Sequence, residues 1–288
     1  MLSIVGIVVV LVMVFGGYTA AGGKLGIIFE AVPFEMMIIG GAALGAFLIG
    51  NDGPTIKHTG RDLIRVFKGP IWKRDDYQDL LCLLFSLIKL SRRDPVAIET
   101  HIEEPENSPI FQAYPRILAD GLAVSMICDT VRMGMLSYDD PHQLEDMLDK
   151  QLEGRLSHSL HTTHALQTTA DGLPALGIVA AVLGVIKTMG SIDQPPEVLG
   201  KLIGSALVGT FLGVFLSYGL VGPSASKIKG LVEADHKFYE LIRDTLVANL
   251  HKHSPQICIE VARQNLPGDL RPSFNDLEEV LRGTAEAA

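Results

Sequence analysis

Four runs of apolar residues, Leu2 to Ala21, Ala31 to Gly50, Leu173 to Ile192 and Gly200 to Val221, set the limits on what this chain can fold into. Each is about 20 residues long. A helix rising 1.5 Å per residue needs roughly that length to cross a hydrocarbon core of roughly 30 Å. Inside a bilayer every backbone donor and acceptor must be satisfied within the segment, so such runs read as membrane-spanning helices. About 120 mostly polar residues (51–170) separate the second run from the third, and a polar tail follows the fourth. No strand pattern of any length interrupts the helical periodicity. The expected class is all-α, a polytopic membrane protein with four transmembrane helices, a large helical insert between the second and third, and a helical tail. In residue terms this gives helices at 1–22, 31–50, 173–192 and 200–222, an insert at 51–172 and a tail at 223–288.

Positive charge orients such a chain, because Lys and Arg collect on the cytoplasmic side. Of the 24 basic residues, 13 lie in residues 51–170 and 8 in the tail, which leaves Lys24, Lys187 and Lys201 for everything else. With four crossings, both polar regions and both termini fall on one side, and the rule makes that side cytoplasmic. A net charge of −9 gives no reason to expect nucleic acid. No Lys or Arg precedes the apolar run that starts at Ile4, and "YTAAGG" is a poor cleavage site, so the first run reads as a retained helix and not a signal peptide. Cys82, Cys128 and Cys258 stand far apart in no metal-like spacing, as expected of reduced thiols.

Small residues punctuate the spans. Gly41 and Gly45 have GxxxG spacing, with Gly16, Gly17, Gly22 and Gly23 nearby, and in lipid such residues let helices approach closely. The insert contains a buried-helix pattern, "DDYQDLLCLLFSLIKLSRR", and then breaks forced by Pro95, Pro105 and Pro109. Beyond Pro223 the apolar positions Ile228, Leu231, Phe238, Leu241, Ile242 and Leu250 recur at helical spacing, so the fourth helix is expected to resume below the membrane.

In the third span Pro174, Ala181 and Thr188 are seven apart and share a face, with Pro174 placed for a helix start. In the fourth, Ala206, Thr210, Gly213 and Ser217 form one small, partly polar stripe. Such a stripe serves helix packing or the wall of a wet cavity. Pro223 marks the end of the span. Glu35 and Asp171 fall close to span ends, so no span carries a central ionisable group, and a proton relay through this chain needs its titrating group from another chain. Arg92, Arg93, Glu99, Glu103 and Glu104 form a dense charged patch suited to a charged partner. His158, His161 and His164 spread over more than one helix face with no carboxylate or Cys in register, so they read as a solvated face and no metal is expected. No nucleophile elbow, P-loop or HExxH motif is present, and nothing points to an enzyme.

The stretches "DGLPALGIVAAVLGVIKTMGS" and "GTFLGVFLSYGLVGP", with "VFGGY", "FQAYPRILAD" and "RPSFNDLEE", closely resemble the MotA-type flagellar stator branch of the MotA/TolQ/ExbB proton channel family. The resemblance covers nearly the whole chain. It implies a pentamer around two MotB-like chains, which are anchored to peptidoglycan and each supply one membrane aspartate. It also implies that Pro174 and Pro223 couple ion passage to movement of the cytoplasmic region, that Thr210 lines the path, and that a pair of opposite charges in the insert meets the rotor protein FliG. Glu99 matches the acidic member. The chain is one residue shorter between the two charges, so Arg92 and Arg93 both stand as the basic member. Ala181 occupies a position where sodium-driven relatives resemble a threonine, so protons are the expected coupling ion and no other cofactor is implied. Two alternatives stand beside this reading: a TolQ/ExbB-type energiser, disfavoured by four spans, and a passive membrane scaffold.

Overall fold

The computed structural model describes residues 2–135 and 141–287, with side chains as far as Leu281. In chain order the helices are α1 (Leu2–Ala20), α2 (Leu25–Gly50), α3 (Gly53–Lys68), α4 (Arg74–Arg93), α5 (Pro95–Glu103), α6 (Pro109–Gln112), α7 (Pro115–Leu118), α8 (Gly121–Met135), α9 (Pro141–Met189), α10 (Pro196–Leu250), α11 (Pro255–Asn265) and α12 (Phe274–Ala287). No strand occurs among the described residues. The fold is all-α, and α1, α2, α9 and α10 are long and apolar enough to cross a membrane.

The prolines that break the sequence open helices instead of merely interrupting them. Six helices, α5, α6, α7, α9, α10 and α11, each begin with proline, whose missing N–H is one that the first turn could not satisfy anyway. Asp94 caps α5 by accepting from the N–H groups of Val96 and Ala97, at 3.1 and 3.0 Å.

Two boundaries differ from the apolar pattern. The second span begins at Leu25, six residues before the run at Ala31, and α2 carries Pro33 and Glu35 inside it. The third does not begin at Pro174. Helix α9 runs 49 residues with Pro174 in its interior. Proline removes one intrahelical hydrogen bond, here to the carbonyl of Ala170. Leu166, Ala170, Leu173, Gly177 and Ala180 are buried at alternating spacings of four and three on both sides of it, so tertiary packing carries the helix through. Similarly α10 continues past Pro223, preceded by a π-helical turn at Ser217–Val221 that absorbs the disruption.

The chain divides into two units, residues 1–69 with 158–232 and residues 70–157 with 233–288. In the first, α2 packs along α10, and Ile39, Ala43, Leu173, Ala180 and Leu212 form the core. Phe15 of α1 meets Phe211 and Phe215 edge-on, at 6.1 and 5.6 Å between centroids, yet no residue of α1 is buried. Large apolar side chains such as Phe29, Phe34, Met37, Leu183 and Ile186 point outward. That inverts the pattern of a water-soluble bundle and suits lipid. The Ser3 hydroxyl donates to Val66 O (2.9 Å) and the Thr162 hydroxyl to Asp62 (2.9 Å), which fastens α3 to α1 and α9.

The second unit is built on α4, whose Tyr77, Leu80, Leu81, Leu83, Leu84 and Leu87 are fully buried. Trp72 stacks on Phe238 at 3.8 Å, the Ile71 N–H donates to Asp235 (2.8 Å), and Tyr239 donates to Asp120 (3.0 Å). Arg116 pairs with the buried Asp76 at 2.6 Å. Burial pushes the thiols of Cys82 and Cys128 up to about 12 and about 11, which leaves both inert at neutral pH.

Candidate functional site

The expected ion-path residues lie where α9 and α10 come together on glycine. A β-carbon built on Gly213 would sit 2.7 Å from Leu173 O and 2.8 Å from Gly177 Cα, both backbone atoms. One on Gly177 would sit 2.9 Å from Gly209 O, and one on Gly184 would sit 2.7 Å from the Ala206 methyl. Only hydrogen fits at these crossings. Ala206 and Gly213 of the stripe therefore serve helix packing, with Thr210 half-buried between them. By contrast nothing lies within 4 Å of the positions a β-carbon would take on Gly41 and Gly45. The close approach expected of that GxxxG pair is not used within this chain.

Gly209 brings a third helix to the same level. A β-carbon there would lie 2.7 Å from Glu35 Oε2, 3.1 Å from the Ala180 methyl and 3.1 Å from the backbone nitrogen of Ala181. Glu35 of α2, Ala180 and Ala181 of α9, and Gly209 beside Thr210 of α10 thus share one layer. Ten residues at 1.5 Å place Glu35 roughly 15 Å into α2, so it is not near the end of a span. The apolar run alone misplaced it because the helix starts at Leu25. Glu35 is 6% exposed, and its Oε2 has no hydrogen-bond partner among the described residues. An acid so placed in a membrane helix is a candidate functional residue, and a count of helix residues from Leu25 is the signal that finds it.

The helix turns beside the two expected hinge prolines meet at Ala170 and Gly222. Pro174 frees the Ala170 carbonyl, and the Ala170 methyl lies 4.0 Å from the position a β-carbon on Gly222, next to Pro223, would take. Ser217, 1% exposed at the start of the π turn, has an Oγ without a partner among the described residues. Thr188 is buried, and its hydroxyl donates to Gly184 O at 2.9 Å, so it is satisfied within its own helix. Ala181 is half-buried.

In the second unit the charged patch resolves into paired and open groups. Arg92 donates to Asn249 Oδ1 at 2.7 Å and to His253 O. Glu103 pairs with Arg132 at 3.3 Å, and Glu104 accepts from Asn107 at 2.9 Å. Arg93 and Glu99 are exposed and show no hydrogen bond or ion pair among the described residues. His158, His161 and His164 are all exposed.

Residues 4–95 match the family pattern described as motility protein A N-terminal, and residues 112–240 match that of the MotA/TolQ/ExbB proton channel family. Motility protein A of Escherichia coli (strain K12) is 40% identical, over 98% of this chain and 95% of its own length. The chain belongs to the motility protein A family. Chemotaxis protein LafT of Vibrio parahaemolyticus is 37% identical over 98% of each chain. Two solved structures share the fold. C. jejuni MotAB has a TM-score of 0.73 at 20% identity, covering 94% of this chain and 98% of that one. The flagellar MotAB stator complex from Bacillus subtilis has a TM-score of 0.69 at 22% identity, covering 96% and 98%. The all-helical, four-span architecture is thus that of its family.

Proposed function

We propose that this motility protein A family member is the stator subunit of a bacterial flagellar motor, and that with a MotB-like chain it forms a proton channel whose flow drives the rotor. The observation that carries the reading is 40% identity with motility protein A along nearly the entire chain. The bundle adds physical support, with small-residue crossings, an unpartnered acid and two prolines gathered on α2, α9 and α10. The insert and tail, richest in Lys and Arg, face the cytoplasm, and so do both termini. Five copies surround two copies of the partner. Co-purification tests this: a one-span protein with a membrane aspartate and a peptidoglycan-binding domain is expected to accompany the chain through detergent extraction. Purification of the chain without any such partner would count against it.

The partner's aspartate carries the proton. Glu35 is 6% exposed, with its Oε2 against Gly209, so vesicles holding this chain alone are expected to pass no protons, whereas those holding both chains do. Robust flux from the single chain would sink the idea. Protons are the coupling ion on the same physical ground. Sodium must be ringed by several oxygens at close range, and Ala181 offers a methyl at the level where Thr210 offers a hydroxyl. Swimming is expected to persist in sodium-free medium and stop with a protonophore, and the opposite pattern would overturn the assignment.

Rotor contact falls to Arg93 and Glu99, the open charges, while Arg92 holds the end of α10. Reversal of Glu99 or Arg93 should impair swimming with normal protein levels, and a compensating reversal on FliG should restore part of it, as expected of a docking pair. Arg92→Ala should instead loosen the tail, read as faster proteolysis after Asn249. Equal behaviour of Arg92 and Arg93 variants in both assays would defeat the distinction.

A further inference from the structure

The geometry points to a divalent transition-metal site in the second unit, formed by His142, Glu145 and His251. His142 and Glu145 occupy one face of the first turn of α9, three residues apart, and His251 follows the last residue of α10. His142 Nδ1 lies 3.6 Å from Glu145 Oε2, and His251 Nε2 lies 3.8 Å from the same oxygen. All three donor atoms fall within 4.8 Å of one another, and the imidazole rings stand 5.2 Å apart at 63°. Tetrahedral zinc with bonds of about 2.0–2.1 Å separates its ligand atoms by about 3.4 Å. The two separations to Glu145 Oε2 exceed that by only a few tenths of an ångström, and the two imidazole nitrogens lie within 4.8 Å of each other. His142, at 77% exposed, is the most accessible of the three.

The backbones that carry the ligands are held independently of any ion. Leu144 and Leu148, either side of Glu145, are 1% exposed and seat the start of α9 in the core. Leu246 and Val247 do the same for the end of α10. The turn that presents His251 is closed by His251 N–H to Val247 O (3.1 Å), Lys252 N–H to Asn249 O (2.9 Å) and His253 N–H to Ala248 O (3.3 Å), with Lys252 at φ 62°. Only side-chain rotation remains on binding, so little ordering entropy opposes it.

Two imidazoles and one carboxylate suit zinc, cobalt, nickel or copper and not calcium or magnesium, which take all-oxygen shells. The open fourth position takes water. The bound ion clamps the first turn of α9 to the last of α10. It also stiffens the turn from Asn249 to His253, to which Arg92 is hydrogen-bonded. Protons compete with the metal for both imidazoles, so binding weakens on acidification.

The test uses the assembled, untagged complex in detergent, equilibrated with Zn²⁺ alone and assayed for metal per chain, with Co²⁺ as a spectroscopic probe. About one ion per chain is expected, with the intense visible bands of tetrahedral cobalt. His142→Ala and His251→Ala should each weaken binding by at least ~10-fold, and so should Glu145→Gln, which keeps the shape of the side chain. His158→Ala/His161→Ala, which removes two exposed histidines elsewhere, should leave it unchanged. All three ligand side chains lie at the surface, so the variants are expected to melt as the parent protein does in the absence of metal. Failure of the complex to take up zinc, or uptake that survives the double variant His142→Ala/His251→Ala, overturns the site.

Discussion

Gly213→Ala is expected to destabilise the membrane bundle, and Gly213→Val to abolish its assembly and with it swimming. The position admits no β-carbon: one would lie 2.7 Å from Leu173 O, 2.8 Å from Gly177 Cα and 3.1 Å from Gly177 N. These are backbone atoms, so no side chain can rotate away and α9 must move off α10 as a whole. Overpacking of a close-packed contact costs about 1–3 kcal/mol for a methyl and more for a branched side chain. The matched control is Gly200→Ala, on the same helix, where nothing lies within 4 Å. Thermal melting of the purified complex should show Gly213→Ala well below the parent and Gly200→Ala beside it. Coincident melting of all three would mean that the helices are not in contact at Gly213.

Pro174→Ala and Pro223→Ala are expected to stop rotation while the complex stays assembled in the membrane. Alanine at 174 restores an N–H that the Ala170 carbonyl can accept, which completes the helix just where Ala170 lies beside Gly222. At 223 it restores the donor that the π turn at Ser217–Val221 does without. Both changes favour a straighter, stiffer helix. They stabilise the resting structure and remove the local break at which a hinge acts. Immunodetection in membranes should therefore find normal amounts of both variants, with swimming speed reduced to near zero. Motile cells carrying either variant would leave the prolines a merely structural role.

The sequence alone determined the class of this protein. Four apolar runs of spanning length, helical periodicity and the distribution of Lys and Arg are local properties of the chain, and the bilayer's demand that each span satisfy its own backbone makes them decisive. The long ordered motifs around Pro174 and Pro223 likewise placed it among the MotA-type proteins. The third helix could not be bounded in this way. Pro174 reads as a helix start by local rule, and only the buried series Leu166, Ala170, Leu173, Gly177 and Ala180 shows why α9 passes through it. Nor could glycines be ranked by spacing. Gly41/Gly45 and Gly209/Gly213 share the same spacing, yet a β-carbon on the first pair would meet nothing within 4 Å, whereas Gly209 and Gly213, with Gly177, carry the crossings. Glu35 passed for a terminal residue until its helix was seen to begin at Leu25, and its place beside Gly209 depends on residues 174 positions away. Arg92 and Arg93 are adjacent and chemically alike, and what separates them is Asn249, brought near Arg92 by the return of α10. The same return sets His251 against His142 and Glu145. In each case the deciding partner is distant in the chain, so only tertiary packing could choose it.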